Sequence, residues 1–280
     1  MKAVVISLLL FVCSWSVSAQ LSSAKWKVVE SEGDTLLNQQ DYPGALKKYN
    51  QAIEISKLKD TESKRMLYKR AICFYSTNEF QKALEDLNAF IPEYPSFPRA
   101  RYLRAFVNRE LGNTQAQLDD INELLALDPV NPDLLKFKTS IYLESERYQE
   151  AKAELLRLQK FDNSEEIETQ LGFIYYNLSD PDSAFLHFDA ALARNAGYTP
   201  AYTYMTSLCL EQEAYEMALT YVDLGLRLEP DNQQLLFYKG IALAESNKLE
   251  AGCSLLSKVF YAGLDQAGDY LKQYCYSSKD

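Results

Sequence analysis

A single histidine occurs in the whole chain of 280 residues, His187. Chemistry that needs two imidazoles, such as a His-pair metal site, is therefore excluded. There is no Gly-rich phosphate loop and no Gly-x-Ser-x-Gly turn, so the sequence supplies neither a phosphate cradle nor an elbow-mounted serine nucleophile. Only 10 glycines and 9 prolines are present, too few for a linker-rich or disordered chain. No run of basic residues exists and the formal charge is −10, which removes the footing for nucleic-acid or anionic-membrane binding. Beyond the first 20 residues no apolar run approaches the roughly 18 residues that suggest a membrane-spanning helix. What is left is ordinary globular composition, 47% hydrophobic and 24% charged, enough for a substantial core.

The first 20 residues, MKAVVISLLLFVCSWSVSAQ, are written differently. Lys2 precedes an apolar run from Ala3 to Val12, and Val17-Ser18-Ala19 is small-residue cleavage chemistry. The expectation is a signal peptide over 1–19, a mature chain from Gln20 with charge −11, and no membrane span after cleavage. Val12 stands before Cys13 where a lipid-anchored leader wants a small residue, so export without a lipid anchor is expected. The expected compartment is the periplasm, with secretion as the alternative.

Asn78–Leu87 reads NEFQKALEDL, Glu146–Leu155 reads ERYQEAKAEL, and a third version starts at Glu213. Small residues recur at Gly33, Ala71, Ala105, Thr139, Gly172, Thr206 and Gly240, with spacings of 38, 34, 34, 33, 34 and 34. Twelve residues after each comes a second site: Ala45, Ala83, Gln117, Ala151, Ala184, Ala218 and Gly252. Four residues further stand Tyr49, Leu87, Ile121, Leu155, Phe188, Val222 and Leu256. A small residue lets two helix backbones approach, and bulky residues on the same face fill the space beside it. Pro95, Pro129 and Pro230 close their units, since proline cannot continue a helix. The pattern predicts seven helix–turn–helix units starting near 26, 64, 98, 132, 165, 199 and 233.

These residues resemble the tetratricopeptide repeat family over about residues 26–263. The resemblance implies an all-α, right-handed α-solenoid over 20–263. Gln117 and Thr114 in the third unit and Pro181 in the fifth depart from the pattern, and the last unit drifts towards the Sel1-like variant. A stacked array needs a cap, because its last apolar face would otherwise meet water. Leu264, Ala267, Leu271 and Tyr274 form one stripe at helical spacing, which predicts a capping helix over Leu264–Tyr276 within a terminal segment 264–280.

Four cysteines follow the leader. Cys73 and Cys209 sit four repeats apart, too far for a bridge, and read as small buried hydrophobes. Cys253 and Cys275 lie at equal distances either side of Leu264, which places them side by side in a helical hairpin. In an oxidising compartment this predicts a Cys253–Cys275 disulfide, with two free thiols as the alternative.

The family resemblance further implies that first helices line a concave groove that takes a peptide or protein segment. The side chains expected there are Arg65, Tyr68, Lys69, Ile72 and Tyr75, then Arg99, Tyr102, Phe106 and Arg109, then Lys136 and Phe137. Phe173, Tyr176, Tyr204, Phe237 and Tyr238 continue the series. The aromatics suit interface anchors and equally suit packing between repeats. The basic residues suit an acidic or carboxylate-bearing partner and equally suit a solvated face. Glu30 and Asp34 occupy the first-unit positions where chaperone-binding relatives hold a terminal carboxylate, which argues against that clamp. Acidic pairs such as Asp119-Asp120 and Glu165-Glu166 read as solvated helix faces. The expected function is a non-catalytic protein-interaction scaffold of the cell envelope, without cofactor, metal or nucleic acid. The alternatives are a module for cell-wall glycan and an enzyme with an unrecognised acidic site.

Overall fold

The computed structural model describes residues 25–276. The expected leader over 1–19 and the last four residues of the tail lie outside the described residues. Those described form helices joined by short turns, with no strand among them. The chain divides into two compact units, the first ending at Pro129 and the second beginning at Val130. The repeat spacing does not signal this division.

The first unit holds three helix hairpins: α1 (25–38) with α2 (Tyr42–Ser56), α3 (Thr61–Ser76) with α4 (Phe80–Phe90), and α5 (Pro98–Glu110) with α6 (Thr114–Leu127). The second holds four: α7 (Pro132–Glu144) with α8 (Tyr148–Leu158), α9 (Glu165–Asn177) with α10 (Pro181–Arg194), α11 (Thr199–Glu211) with α12 (Tyr215–Leu228), and α13 (Gln233–Glu245) with α14 (Leu249–Tyr261). Within each unit a hairpin packs on its sequence neighbours, the arrangement of an all-α solenoid of repeats.

The contact that closes every hairpin is a large side chain on the second helix seated over a small residue on the first. Tyr49, Leu87, Ile121, Leu155, Phe188, Val222 and Leu256 are all essentially inaccessible to solvent. The sizes are matched. A Cβ added at Gly33 would stand 2.8 Å from the Tyr49 ring, and one at Gly172 would stand 2.5 Å from the Phe188 ring. Where the small residue is Ala71 or Ala105, the partner position carries only Leu87 or Ile121. Thr139 and Thr206 are also buried there, and each hydroxyl is satisfied by the carbonyl four residues back, on Leu135 and Tyr202.

The turn inside each hairpin is equally regular. Gln40, Asn78, Gly112, Glu146, Ser179, Glu213 and Asn247 all have φ between 56° and 72°, at one register. Beside each, an amide reaches back five residues, as from Glu79 to Phe74 and from Asp180 to Tyr175, which is the long hydrogen bond of a Schellman cap. Only one of the seven is glycine, although a side chain costs about 1 kcal/mol or more in that conformation.

Two of the departing residues, Pro181 and Gln117, have distinct settings. Pro181 lies at the start of α10, where its missing N–H would have had no intrahelical partner. Gln117 fills an alanine site and is buried, with its Nε2 lacking a hydrogen bond.

The expected capping helix over Leu264–Tyr276 is shorter and changes type. It is α15 (Ala267–Tyr270) followed by a π-helical turn, Leu271–Cys275, closed by the Tyr276 N–H on the Leu271 carbonyl. Side chains four apart drift by about 40° per step in an α-helix. The wider turn reduces that drift and keeps Ala267, Leu271 and Cys275 on α14. Ala267 and Leu271 are buried with Leu256 and Val259, while Leu264 and Tyr274 pack at the edge. Cys253 and Cys275 are joined by a disulfide, with Cα atoms 5.8 Å apart. Closing that loop of 22 residues adds roughly 3 kcal/mol in the chain-entropy account. Cys73 and Cys209 are buried free thiols, and burial pushes both above the ordinary thiol range.

Size matching is testable at the fifth hairpin. Gly172→Ala is expected to destabilise the protein by about 1–3 kcal/mol, because the ring above it has no room to retreat. Adding Phe188→Leu reproduces the pairing of Ala71 with Leu87 and is expected to recover part of the loss. Urea unfolding of both single variants and the double variant checks this. Purely additive effects would show that the two positions do not share one space.

Candidate functional site

In the first unit the predicted groove residues lie along α3 and α5. Tyr68 is half-buried against Phe97 and Phe90, with ring centroids 4.8 and 5.5 Å away, and Phe90 stacks on Tyr94 at 4.6 Å. Tyr75 packs on Phe80 at 5.7 Å. Tyr102 is 39% exposed and meets Phe106 edge-on at 5.0 Å. Arg65, Arg99 and Arg109 are exposed. Lys69, expected to face a partner, instead bonds Glu30 and Asp34 of α1, each at 2.7 Å. The acids that argued against a carboxylate clamp are thus also what occupies this lysine.

In the second unit Phe173 meets Tyr148 at 6.3 Å and Tyr204 at 5.7 Å, and Tyr204 stacks nearly parallel on Phe188 at 5.4 Å. Tyr204 remains 37% exposed. It borders an open cleft of about 270 Å³ with Thr203, Glu229, Asn232 and Gln234. Lys136 pairs with Asp162 at 3.3 Å, and Tyr176 donates to Glu211. Phe237, expected in the groove, is buried against Tyr270 of the cap at 5.2 Å. The last unit's first helix must cover the cap, so its aromatic turns inward.

A charge pattern that sequence reading missed runs beside the core contact. Arg70 grips Asp86 with two hydrogen bonds of 2.6–2.7 Å, and Arg104 grips Asp120 with two of 2.7–2.8 Å. Each arginine also donates to an asparagine of the preceding hairpin, Asn50 or Asn88, at 2.8 Å. Lys48 pairs with Glu32 and Lys138 with Glu154 at the same separation of 16 residues. That opposite-charge spacing was the available signal. Asp120 is accordingly buried, not on a solvated face, because its helix turns it towards Arg104. Burial holds the Asp86 carboxyl above its ordinary value, against the pull of Arg70.

His187 has a structural setting. Its Nδ1 lies 2.7 Å from Glu168, which also binds Arg194, and its ring stacks on Tyr175 at 5.1 Å. Among the described residues no group of three His, Cys, Asp or Glu could hold a metal ion, and no helix is long and apolar enough to cross a membrane.

A family model for the tetratricopeptide repeat matches residues 31–98 and 68–132. Human sperm-associated antigen 1 is 28% identical over 104 residues, 37% of this chain and 11% of that protein. The chain thus spans only about a tenth of the length of that curated relative. The C-terminal part of a repeat protein from Cytophaga hutchinsonii superposes with a TM-score of 0.68 at 13% identity, covering 86% of this chain and 98% of that one. YrrB, described as a protein of this repeat class with an unusual peptide-binding site, gives 0.52 at 23% identity, over 68% of this chain and 97% of its own. These likenesses establish the fold.

Burial and the Glu211 carboxylate push the Tyr176 phenol up to about 12 from 10.0. The folded state therefore holds this proton more tightly than the unfolded state does. Its contribution to stability is whole below pH 10 and is lost as pH rises through about 12. In an alkaline titration followed by phenolate absorbance, Tyr176→Phe is expected to remove one late-titrating component. Superimposable curves would contradict the assignment.

Proposed function

We propose that this chain, whose residues 31–132 match the tetratricopeptide repeat model and whose fold is that of solved repeat proteins, is a non-catalytic scaffold that holds a protein or peptide segment against its first helices. The observation that carries this is the pair of tyrosines left open on those helices, Tyr102 in the first unit and Tyr204 in the second. Each rests against another ring, so it is pre-ordered and offers contact area at low entropic cost. The fold class supports protein interaction in general, and YrrB is a structural neighbour described by its peptide-binding site. On the leader-like residues 1–19, we place the protein in the periplasm of a bacterial envelope, with release to the medium as the alternative.

A second reading, glycan binding, is favoured by the cleft beside Tyr204. An aromatic face next to Thr203, Glu229, Asn232 and Gln234 suits the apolar face and hydroxyls of a sugar.

The test is affinity purification from envelope extract with wild type, with Tyr102→Ser plus Tyr204→Ser, and with Tyr261→Ser as a control at an 82% exposed tyrosine away from those helices. Circular dichroism confirms folding. A protein retained by wild type and control but lost from the double variant is expected. Equal retention by all three would overturn the groove assignment, and retention on a glycan column alone would favour the second reading. The chain purified from its native source is expected to begin at Gln20; a start at Met1 would defeat the export reading.

A further inference from the structure

We infer that Arg65 and Arg99 form an anion-recognising edge on the first unit, and that the segment bound there carries acidic side chains next to an apolar one. The inference rests on the proposed scaffold reading and specifies its ligand. Both arginines stand six residues before the small residue of their hairpins, Ala71 and Ala105, so they share one register on consecutive first helices. Both are exposed, and neither makes an ion pair or hydrogen bond among the described residues. Other cations nearby are engaged. Arg70 and Arg104 are held by Asp86 and Asp120, Lys69 by Glu30 and Asp34, Lys64 by Glu93, and Arg101 donates to the Pro95 carbonyl.

The local carboxylates are likewise committed. Asp60 caps α3 through the Ser63 amide, Glu62 pairs with Lys27, and Glu93 pairs with Lys64. Arg65 and Arg99 therefore present guanidinium groups that no neighbouring carboxylate grips, although Asp60, Glu62 and Glu93 lie near Arg65 around Tyr94. Four rings stand beside them. Arg99 lies close enough to Tyr68 to oppose the upward push of burial on its phenol; Arg65 does the same at Tyr94, where Glu93, Asp60 and Glu62 add to that push. Tyr68 and Tyr94 belong to the same aromatic cluster with Phe90 and Phe97.

The register is specific to this unit. In the second unit the same position holds Asp133, Glu166, Pro200 and Gln234, which would repel or ignore an anion. α3 and α5 are in contact. Packed helices lie roughly 8–10 Å apart. An extended strand advances about 3.3 Å per residue, so acids two or three positions apart match that span. Guanidinium is the group suited to gripping such carboxylates, because its donors form a planar fork.

The experiment is selection of a phage-displayed library of random peptides on the full chain, on Arg65→Gln plus Arg99→Gln, and on Arg227→Gln. Arg227 is an exposed arginine on α12. Wild type and Arg227→Gln are expected to enrich peptides with acids two or three positions apart beside an aromatic or aliphatic residue. The most enriched peptide, synthesised, should bind the double glutamine variant about tenfold more weakly or worse, the loss of one or two charge-assisted hydrogen bonds. Enrichment without acidic bias, or a bias that survives in the double variant, would overturn this inference and leave the scaffold reading intact. Enrichment of no peptide by any of the three would overturn both.

Discussion

Every hairpin in this protein depends on one steric constraint: a bulky side chain of the second helix must sit where the first helix has almost none. Where the small residue is glycine the approach is closest: a Cβ at Gly33, Gly172 or Gly240 would stand 2.5–2.9 Å from Tyr49, Phe188 or Leu256. Tyr49 and Phe188 are tolerated because Gly33 and Gly172 stand beneath them. Leu87 and Ile121 accompany alanine instead. Hairpins of different composition can thereby pack on their neighbours within each unit. The left-handed residue seven positions after each small site follows from the same need, since the chain must reverse within a few residues to return the large side chain to its seat.

Charge is organised around this contact. Four salt bridges, Glu32–Lys48, Arg70–Asp86, Arg104–Asp120 and Lys138–Glu154, lie one position before the packed pair on both helices, and Asp86, Asp120 and Glu154 are buried. Such buried pairs add little net stability, because desolvation offsets attraction. They do penalise misregister, since a one-residue slip would leave Asp86 or Asp120 buried without a partner. Four cations are used in this way within the fold, and several others pair elsewhere. Arg65 and Arg99 are exposed at one register of consecutive first helices and take part in none of these pairs.

The periodic part of the structure was legible because it repeats: helix positions, small sites, large partners and turns recur at nearly fixed spacing. The misses concern residues whose role depends on a neighbour that spacing does not reveal. Lys69 looked available because its two acids lie more than thirty positions away. Asp120 looked solvated because an acid-rich helix hides which member of Asp119-Asp120 turns inward. Phe237 looked exposed because Tyr102 at the same register is open, whereas the cap covers Phe237. The left-handed turn residues escaped notice because side chains, not glycine, occupy most of them. Open tyrosines such as Tyr102 and Tyr204 could be named from the repeat, but their exposure could not.

The two ends of the described chain carry different natural reporters. Trp26 is 2% exposed, packs with Ala52 and Met66, and is the only indole among the described residues. Intrinsic tryptophan fluorescence from this region therefore reports on the first hairpin and its packing on α3. The Cys253–Cys275 bridge is the only disulfide there, and its redox state reports on the last hairpin and its cap. Local opening at either end can thus be observed separately in the unmodified protein, which makes the array suited to asking whether its unfolding is one event or several.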